Sequence, residues 1–236
     1  MWDSTVFPPF EEMKNINMAI LMNFHNYTML FLSAIMGTIT MFFLMKTFSS
    51  YTNIFLLSSR TLELMWTIIP MVILLLIAFP SLKYLYLMDL SNLPSLTMKV
   101  FGAQWYWSYQ YSDFDNFTIT SYMLNDSEVF NHVNKFMAGW RLLETDVRAI
   151  LPFCTETRIL VTSYDVIHSF SLTGLGIKID AVPGRLNWVT LFNFEPGWVY
   201  GQCSEICGVG HSFMPIVIEF VSLKDFCLVM KKFTSS

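Results

Sequence analysis

Two long stretches of this chain carry no charge. Residues 28 to 45, TMLFLSAIMGTITMFFLM, and residues 64 to 82, LMWTIIPMVILLLIAFPSL, are uninterrupted by Asp, Glu, Lys or Arg. About twenty apolar residues, rising about 1.5 Å each, cover a ~30 Å hydrocarbon core, so both stretches predict membrane-spanning helices. Pro70 and Pro80 interrupt the second, which such helices tolerate where a neighbour satisfies the freed backbone. Beyond residue 89 the pattern shortens to β-branched and aromatic runs. MKVFGAQWYWSYQYS (98–112), RILVTS (158–163), WVTLFNF (188–194) and PIVIEFVS (215–222) read as strands. Turn chemistry separates them at PGR (183–185), EPG (195–197) and GVG (208–210). Strands without an intervening helical pattern predict a β-sandwich or small barrel. Residues 123 to 139 read as a polar loop. The expected organisation is a tail (1–26), a two-helix membrane hairpin (27–89) and an all-β domain (90–236).

Composition agrees with a membrane anchor carrying a sizeable folded part. Hydrophobic residues make up 54% and charged residues only 14%, below the roughly 25% usual in soluble domains. The charges are unevenly placed: from residue 84 onward there are fourteen acidic and ten basic residues, which accounts for the whole net charge of −4. An acidic domain argues against nucleic acid and fits a basic protein partner, although solubility alone asks for the same charge. The connection between the spans carries Lys46 and Arg60 against Glu63. The positive-inside rule therefore puts it on the cytoplasmic or matrix side, with the β-domain opposite. No secretory or transit signal is expected, since the first arginine is Arg60. Cys154 and Cys227 stand alone in apolar surroundings and are expected to be small core residues.

Chemistry concentrates in GQCSEICGVGHSFMP, residues 201 to 215. It spaces Cys203, Cys207, His211 and Met214 as C-x3-C-x3-H-x2-M, and a further histidine, His168, stands upstream in DVIHSF. Two thiolates, two imidazoles and a thioether are soft donors that suit copper. A mononuclear blue-copper site uses one cysteine; a second one in the same loop lets two thiolates bridge two ions. Each ion then has a terminal imidazole and a weak ligand, from Met214 or a loop carbonyl. A metal enclosed this way has no open position for a substrate and suits electron relay. On the motif alone a structural zinc site and a Cys203–Cys207 disulfide remain open.

The same motif, preceded by DVIHSF and DAVPGRLN (180–187), resembles the dinuclear copper (Cu-A) domain of the cytochrome c oxidase subunit II family. The resemblance extends over LELMWTIIPMVILLLIAFPSLKYLYLMD (62–89) and QWYWSYQY (104–111). It implies a cupredoxin-like Greek-key barrel behind the membrane hairpin. The implied copper ligands are His168, Cys203, Cys207, His211, Met214 and the backbone carbonyl of Glu205. The Glu205 carboxylate is implied to help hold magnesium at the interface with subunit I. Trp105 matches the family's point of electron arrival from cytochrome c. Asp113, Asp115, Asp146 and Asp165 are candidates for the acidic docking rim, and Glu63 for proton uptake near a pathway in the partner. For Glu63, an interface acid at a helix N-terminus is an equally good reading.

The implied role is to take electrons from reduced cytochrome c and pass them to haem in subunit I for oxygen reduction coupled to proton translocation. The implied location is the mitochondrial inner membrane with the domain in the intermembrane space, or a bacterial plasma membrane with the domain in the periplasm. Other oxidase subunits and the lipid bilayer are the further implied partners. The chain departs from the family pattern at Gln110, Asn116 and Thr120, where relatives often carry carboxylates, and at Ala103 in place of a histidine. A nitrous oxide reductase copper domain, a copper-free quinol oxidase subunit and a copper chaperone are the rival readings. The hairpin, the intact ligand set and the enclosed loop spacing argue against them in turn.

Overall fold

The computed structural model describes residues 14–51, 55, 58–88, 93–125 and 140–234. Two units result, one of residues 19–90 and one of residues 91–236 with the residues up to 18. The first contains α1 (Ile16–Phe48) from residue 19 onward and α2 (Arg60–Met88). Their 33 and 29 residues give about 50 and 44 Å of helix, longer than the hydrocarbon core of a bilayer. α1 begins well before the apolar span expected from residue 28, because the polar residues Asn23, His25 and Asn26 do not break a helix. Neither helix buries a residue, and apolar side chains are exposed all round. That surface suits lipid and is foreign to the interior helices of a soluble domain.

Inside this unit hydroxyl groups fold back on their own helix. Thr38 donates to the Ala34 carbonyl at 2.7 Å, and Thr40, Thr47 and Thr67 each bond four residues back at 2.8 Å. Pro80 has no N–H and strips the Leu76 carbonyl of its helical donor. The Tyr27 hydroxyl of α1 supplies one across the pair at 3.0 Å, which is the rescue the sequence called for.

The second unit is built from ten strands among the described residues. β1 (Leu96–Ala103), β2 (Tyr106–Tyr111), β3 (Phe117–Ser121), β5 (Thr157–Ser163) and β8 (Asn187–Leu191) form one sheet in the order β3-β2-β1-β5-β8. β4 (Ala149–Pro152), β6 (His168–Leu172), β7 (Ile177–Ala181), β9 (Gly197–Cys203) and β10 (Pro215–Val221) form the other in the order β4-β10-β9-β6-β7. β1 pairs parallel with β5, and β4 parallel with β10, so the strands cross between sheets as a Greek-key barrel requires. Alternation sets the faces: Met98 and Val100 of β1, Ile159 and Val161 of β5 and Ile216 and Ile218 of β10 are fully buried. Trp107, Tyr109 and Tyr111 share the inner face of β2 and fill the barrel's length.

Three expectations are corrected. The run 98–112 is two strands, because the chain turns at Gln104 and Trp105 and returns antiparallel; aromatic residues and a glutamine hid a turn that has no Gly, Pro or Asn. The run 188–194 leaves its sheet after Leu191, where Asn193 Nδ2 donates to the Glu195 carbonyl at 2.8 Å and makes a side-chain turn. Cys154 and Cys227 are exposed, the first at a positive φ with its thiol on the Phe194 carbonyl, the second on the outer side of a helix. That helix, α3 (Leu223–Thr234), was not anticipated. Its signal was a Ser222-x-x-Asp225 capping pair, with the Asp225 N–H donating to Ser222 Oγ at 3.2 Å. Phe226 and Met230, four apart, enter the core from it. Of the loop expected at 123–139, residues 126–139 lie outside the described residues, as does His132.

Candidate metal centre

His168 opens β6, Cys203 closes β9, and Cys207, His211 and Met214 follow in the loop that leads to β10. From these three places the donor atoms converge. The two sulfurs are 4.0 Å apart. Cys203 Sγ lies 4.0 Å from His168 Nδ1 and 3.3 Å from the Glu205 carbonyl oxygen. Cys207 Sγ lies 3.6 Å from His211 Nδ1 and 3.5 Å from Met214 Sδ. Each sulfur thus faces one imidazole nitrogen and one weak donor, and His168, Cys203 and Cys207 keep their ligand atoms within 4.8 Å of one another.

This geometry bears on the chemistries the motif left open. A disulfide holds its sulfurs at about 2.05 Å, roughly half the distance here, and both cysteines are free thiols. A structural zinc site uses four donors about one ion and has no place for the thioether and the carbonyl. The observed set has six donors arranged about a sulfur pair. With metal–sulfur bonds of about 2.3 Å, a separation of 4.0 Å lets an ion touch both sulfurs. The soft donors suit copper.

Long-range packing fixes these positions. His168 is fully buried beside Trp107, ring centroids 6.0 Å apart. A Cβ on Gly102 of β1 would lie 2.9 Å from His168 Cδ2, so the imidazole fits only because that residue has no side chain. Asp165 Oδ1 faces His168 Nε2 at 2.9 Å. With Nε2–H donated there, the tautomer leaves the Nδ1 lone pair directed at Cys203. Burial works against charge on His168, but Cys203 and Asp165 outweigh it and the imidazole is held above its ordinary value. Burial likewise opposes ionisation of Asp165, and is overcome by His168 and by the Val166 and Gln104 N–H groups, so this carboxyl sits below its usual range. Burial resists ionisation of both thiols. His168 and the Ser169 backbone overcome it at Cys203, whereas at Cys207 the neighbouring Cys203 charge adds to it. Trp107 Nε1 donates to the Met214 carbonyl at 3.1 Å and anchors the end of the loop.

The other residues named from the sequence are more scattered. Trp105 is 38% exposed while Trp107 is wholly buried, so only the first can meet a partner. Its ring lies on the ligand loop: a Cβ on Gly210 would come within 2.3 Å of Trp105 Cδ2. The Glu205 side chain is exposed while its carbonyl turns inward. Asp146 bonds the Tyr122 N–H at 2.8 Å, and Tyr122 packs on Tyr106 next to Trp105. Asp165 stands beside His168. Asp113 and Asp115 lie in the turn beyond the other end of β2, whose six residues span about 20 Å at ~3.3 Å per residue; Asp113 Oδ2 accepts the Thr97 N–H at 2.7 Å. Glu63 lies in the first turn of α2, behind Ser59, whose hydroxyl accepts the Leu62 N–H at 3.4 Å. Sequence reasoning missed the supporting roles of Gln104, Trp107 and Gly102, because none lies near a ligand in sequence, and that of Gly210, beside His211, because only the fold brings Trp105 onto it.

Comparisons with known proteins cover both units. The family model described as the transmembrane domain of cytochrome c oxidase subunit II matches residues 9–84, and that of its periplasmic domain matches residues 96–221. Cytochrome c oxidase subunit 2 of Drosophila narragansett and of Drosophila tolteca are each 50% identical over 206 residues, covering 87% of this chain and 87% of theirs. Among solved structures, the periplasmic domain of subunit II of cytochrome oxidase from Bradyrhizobium japonicum is 40% identical with a TM-score of 0.55, over 62% of this chain and 98% of that one. A mixed disulfide between a thioredoxin-like protein and subunit II of cytochrome c oxidase matches at 39% identity with a TM-score of 0.52, over 62% and 96%.

Proposed function

The chain belongs to the cytochrome c oxidase subunit II family, and from that premise we propose that it is the electron-accepting subunit of its oxidase. It takes electrons from reduced cytochrome c at a dinuclear copper centre and delivers them to haem in subunit I, where oxygen is reduced to water with proton translocation. The observation that carries this reading is the sulfur pair at 4.0 Å, each sulfur flanked by an imidazole nitrogen and a weak donor.

The residues that would hold the copper are His168, Cys203, Cys207, His211, Met214 and the Glu205 carbonyl. Bound there, copper would supply one-electron chemistry. The chain's own contribution is to keep those donors fixed. Buried His168, Cys203, Cys207 and Met214 exclude water, Asp165 holds one imidazole's orientation, and Trp107 holds the loop's end. A scaffold that does not move on electron arrival keeps reorganisation small.

Around this centre the finer assignments follow. Trp105 is the contact through which electrons arrive, since its exposed indole rests on the ligand loop. Of the acidic candidates, Asp146 and Asp165 share its end of the barrel and form the docking rim for a lysine-rich partner; Asp113 and Asp115 are too far along β2 to join them. The exposed Glu205 carboxylate suits a hard cation such as magnesium, shared with subunit I. Glu63 is the proton-uptake residue at the start of α2. The Drosophila relatives support a mitochondrial inner-membrane location with the β-domain in the intermembrane space.

The test is electron paramagnetic resonance with a metal count on the copper-loaded full chain in detergent. Two coppers per chain, with hyperfine structure from one electron shared by two equivalent nuclei, is the expected result. A single-nucleus pattern, or zinc bound in preference, overturns the proposal.

A further inference from the structure

The turn between β1 and β2 reaches the metal centre by two arms of one residue. Gln104 is exposed, yet both kinds of its N–H are directed inward. Its backbone N–H donates to Asp165 Oδ2 at 2.7 Å, and its side-chain Nε2 donates to the Cys207 carbonyl at 2.8 Å. The other oxygen of Asp165 faces His168 Nε2 at 2.9 Å. A Cβ on Gly208 would come within 3.2 Å of Gln104 Nε2, so the amide and the loop are in close contact.

We infer that Gln104 is a positioning residue for the metal centre, joining the strand end that presents His168 to the loop that presents Cys203, Cys207, His211 and Met214. The inference rests on the copper reading above. Burial alone does not fix this loop: Ile206 is 80% and Val209 93% exposed, on either side of Cys207. Its internal backbone bonds are short-range, His211 N–H to the Gly208 carbonyl and Phe213 N–H to the Gly210 carbonyl. Those bonds shape the turn without registering it against His168. At the Cys203 end the Ser204 N–H does so by donating to the Ser169 carbonyl at 3.0 Å, beside His168; at the Cys207 turn the described contact that does so is Gln104, which bonds both Asp165 and the loop. A donor set ordered before the metal arrives need not be ordered by it, which is the gain from such a frame.

The experiment uses the full chain in detergent with Gln104→Ala and Gln104→Glu, and Gln110→Ala at the far end of β2 as control. Gln104→Glu keeps the size and the backbone N–H but removes the side-chain donor. In the metal-free chain, amide hydrogen exchange across residues 203–211 should speed up by about five- to tenfold while the sheet amides stay unchanged, as local opening requires. In the copper-loaded chain, release to a chelator should accelerate by about tenfold, the lower end of outer-shell effects on metal affinity. The control should match the wild type in both. Unchanged loop exchange in both Gln104 variants overturns the inference, and so does acceleration spread evenly over the strands, which marks general destabilisation. A wild-type chain that takes up no copper while its loop exchange still responds to Gln104 supports the frame and overturns the copper reading.

Discussion

The helix pair and the metal end of the barrel satisfy their polar groups in opposite ways. In the helices, hydroxyls bond the carbonyl one turn back, as Thr38 does to Ala34 and Thr40 to Met36. Tyr27 to Leu76 is the exception, reaching across forty-nine positions to serve a carbonyl that Pro80 leaves bare. At the metal end the bonds that join separate elements are long-range: Gln104 reaches sixty-one positions to Asp165 and one hundred and three to Cys207, and Trp107 reaches one hundred and seven to Met214. Local bonding makes an element that forms anywhere its residues are placed. Long-range bonding makes a site that exists only once the whole barrel has closed.

The sharpest break in this comparison is Cys207→Ser. It removes one of the two sulfurs about which the donors are arranged, so copper retention should fall by orders of magnitude while the barrel stays folded. Metal analysis beside circular dichroism reads both. Unaltered copper content would show that the sulfur pair is not the binding unit.

Gly210→Ala tests the packing on which the loop depends. The added Cβ would sit 2.3 Å from Trp105 Cδ2, so the ring or the loop must shift, at about 1–3 kcal/mol for an overpacked site. A lowered urea midpoint together with a changed tryptophan fluorescence should result. The comparison would weaken if the variant unfolded like the wild type.

On the helical side, Tyr27→Phe removes the only hydroxyl described on the Leu76 carbonyl. The expected loss is about 1 kcal/mol, since hydrogen bonds between membrane helices average less than their burial suggests. Unfolding in mixed micelles measures it, and a loss as large as that of the glycine variant would blur the distinction between the two regions.

The smallest effect belongs to the rim. Asp146→Asn should weaken cytochrome c binding by about two- to fivefold at low salt and flatten the salt dependence, as exposed charge pairs do. Asp113→Asn, at the far end of β2, should leave both unchanged. Equal effects from the two would mean that docking does not centre on Trp105.

What could be read from the sequence, and what could not, follows the same division. The two spans were legible because hydrophobicity over a contiguous run is enough to specify a membrane helix, whatever the rest of the chain does. The strands at 158–163 and 215–222 were legible from short β-branched and aromatic runs bounded by turn residues, since such enrichment is a property of neighbours. The ligand loop was legible because four donors lie within twelve residues, 203 to 214, and only His168 had to be fetched from elsewhere. The hairpin at Gln104 and Trp105 was not, because its turn uses none of the residues that mark turns. The place of Asp165 was not, because an aspartate in a polar turn is described equally well as a docking charge and as a support for an imidazole. Only the closed barrel brought Gly102 against His168, Trp105 onto Gly210 and Gln104 between Asp165 and Cys207. The sequence by itself determined which atoms could bind a metal and which segments could cross a membrane; the tertiary structure decided the spacing and orientation of those atoms, because contacts between residues a hundred positions apart leave no local pattern.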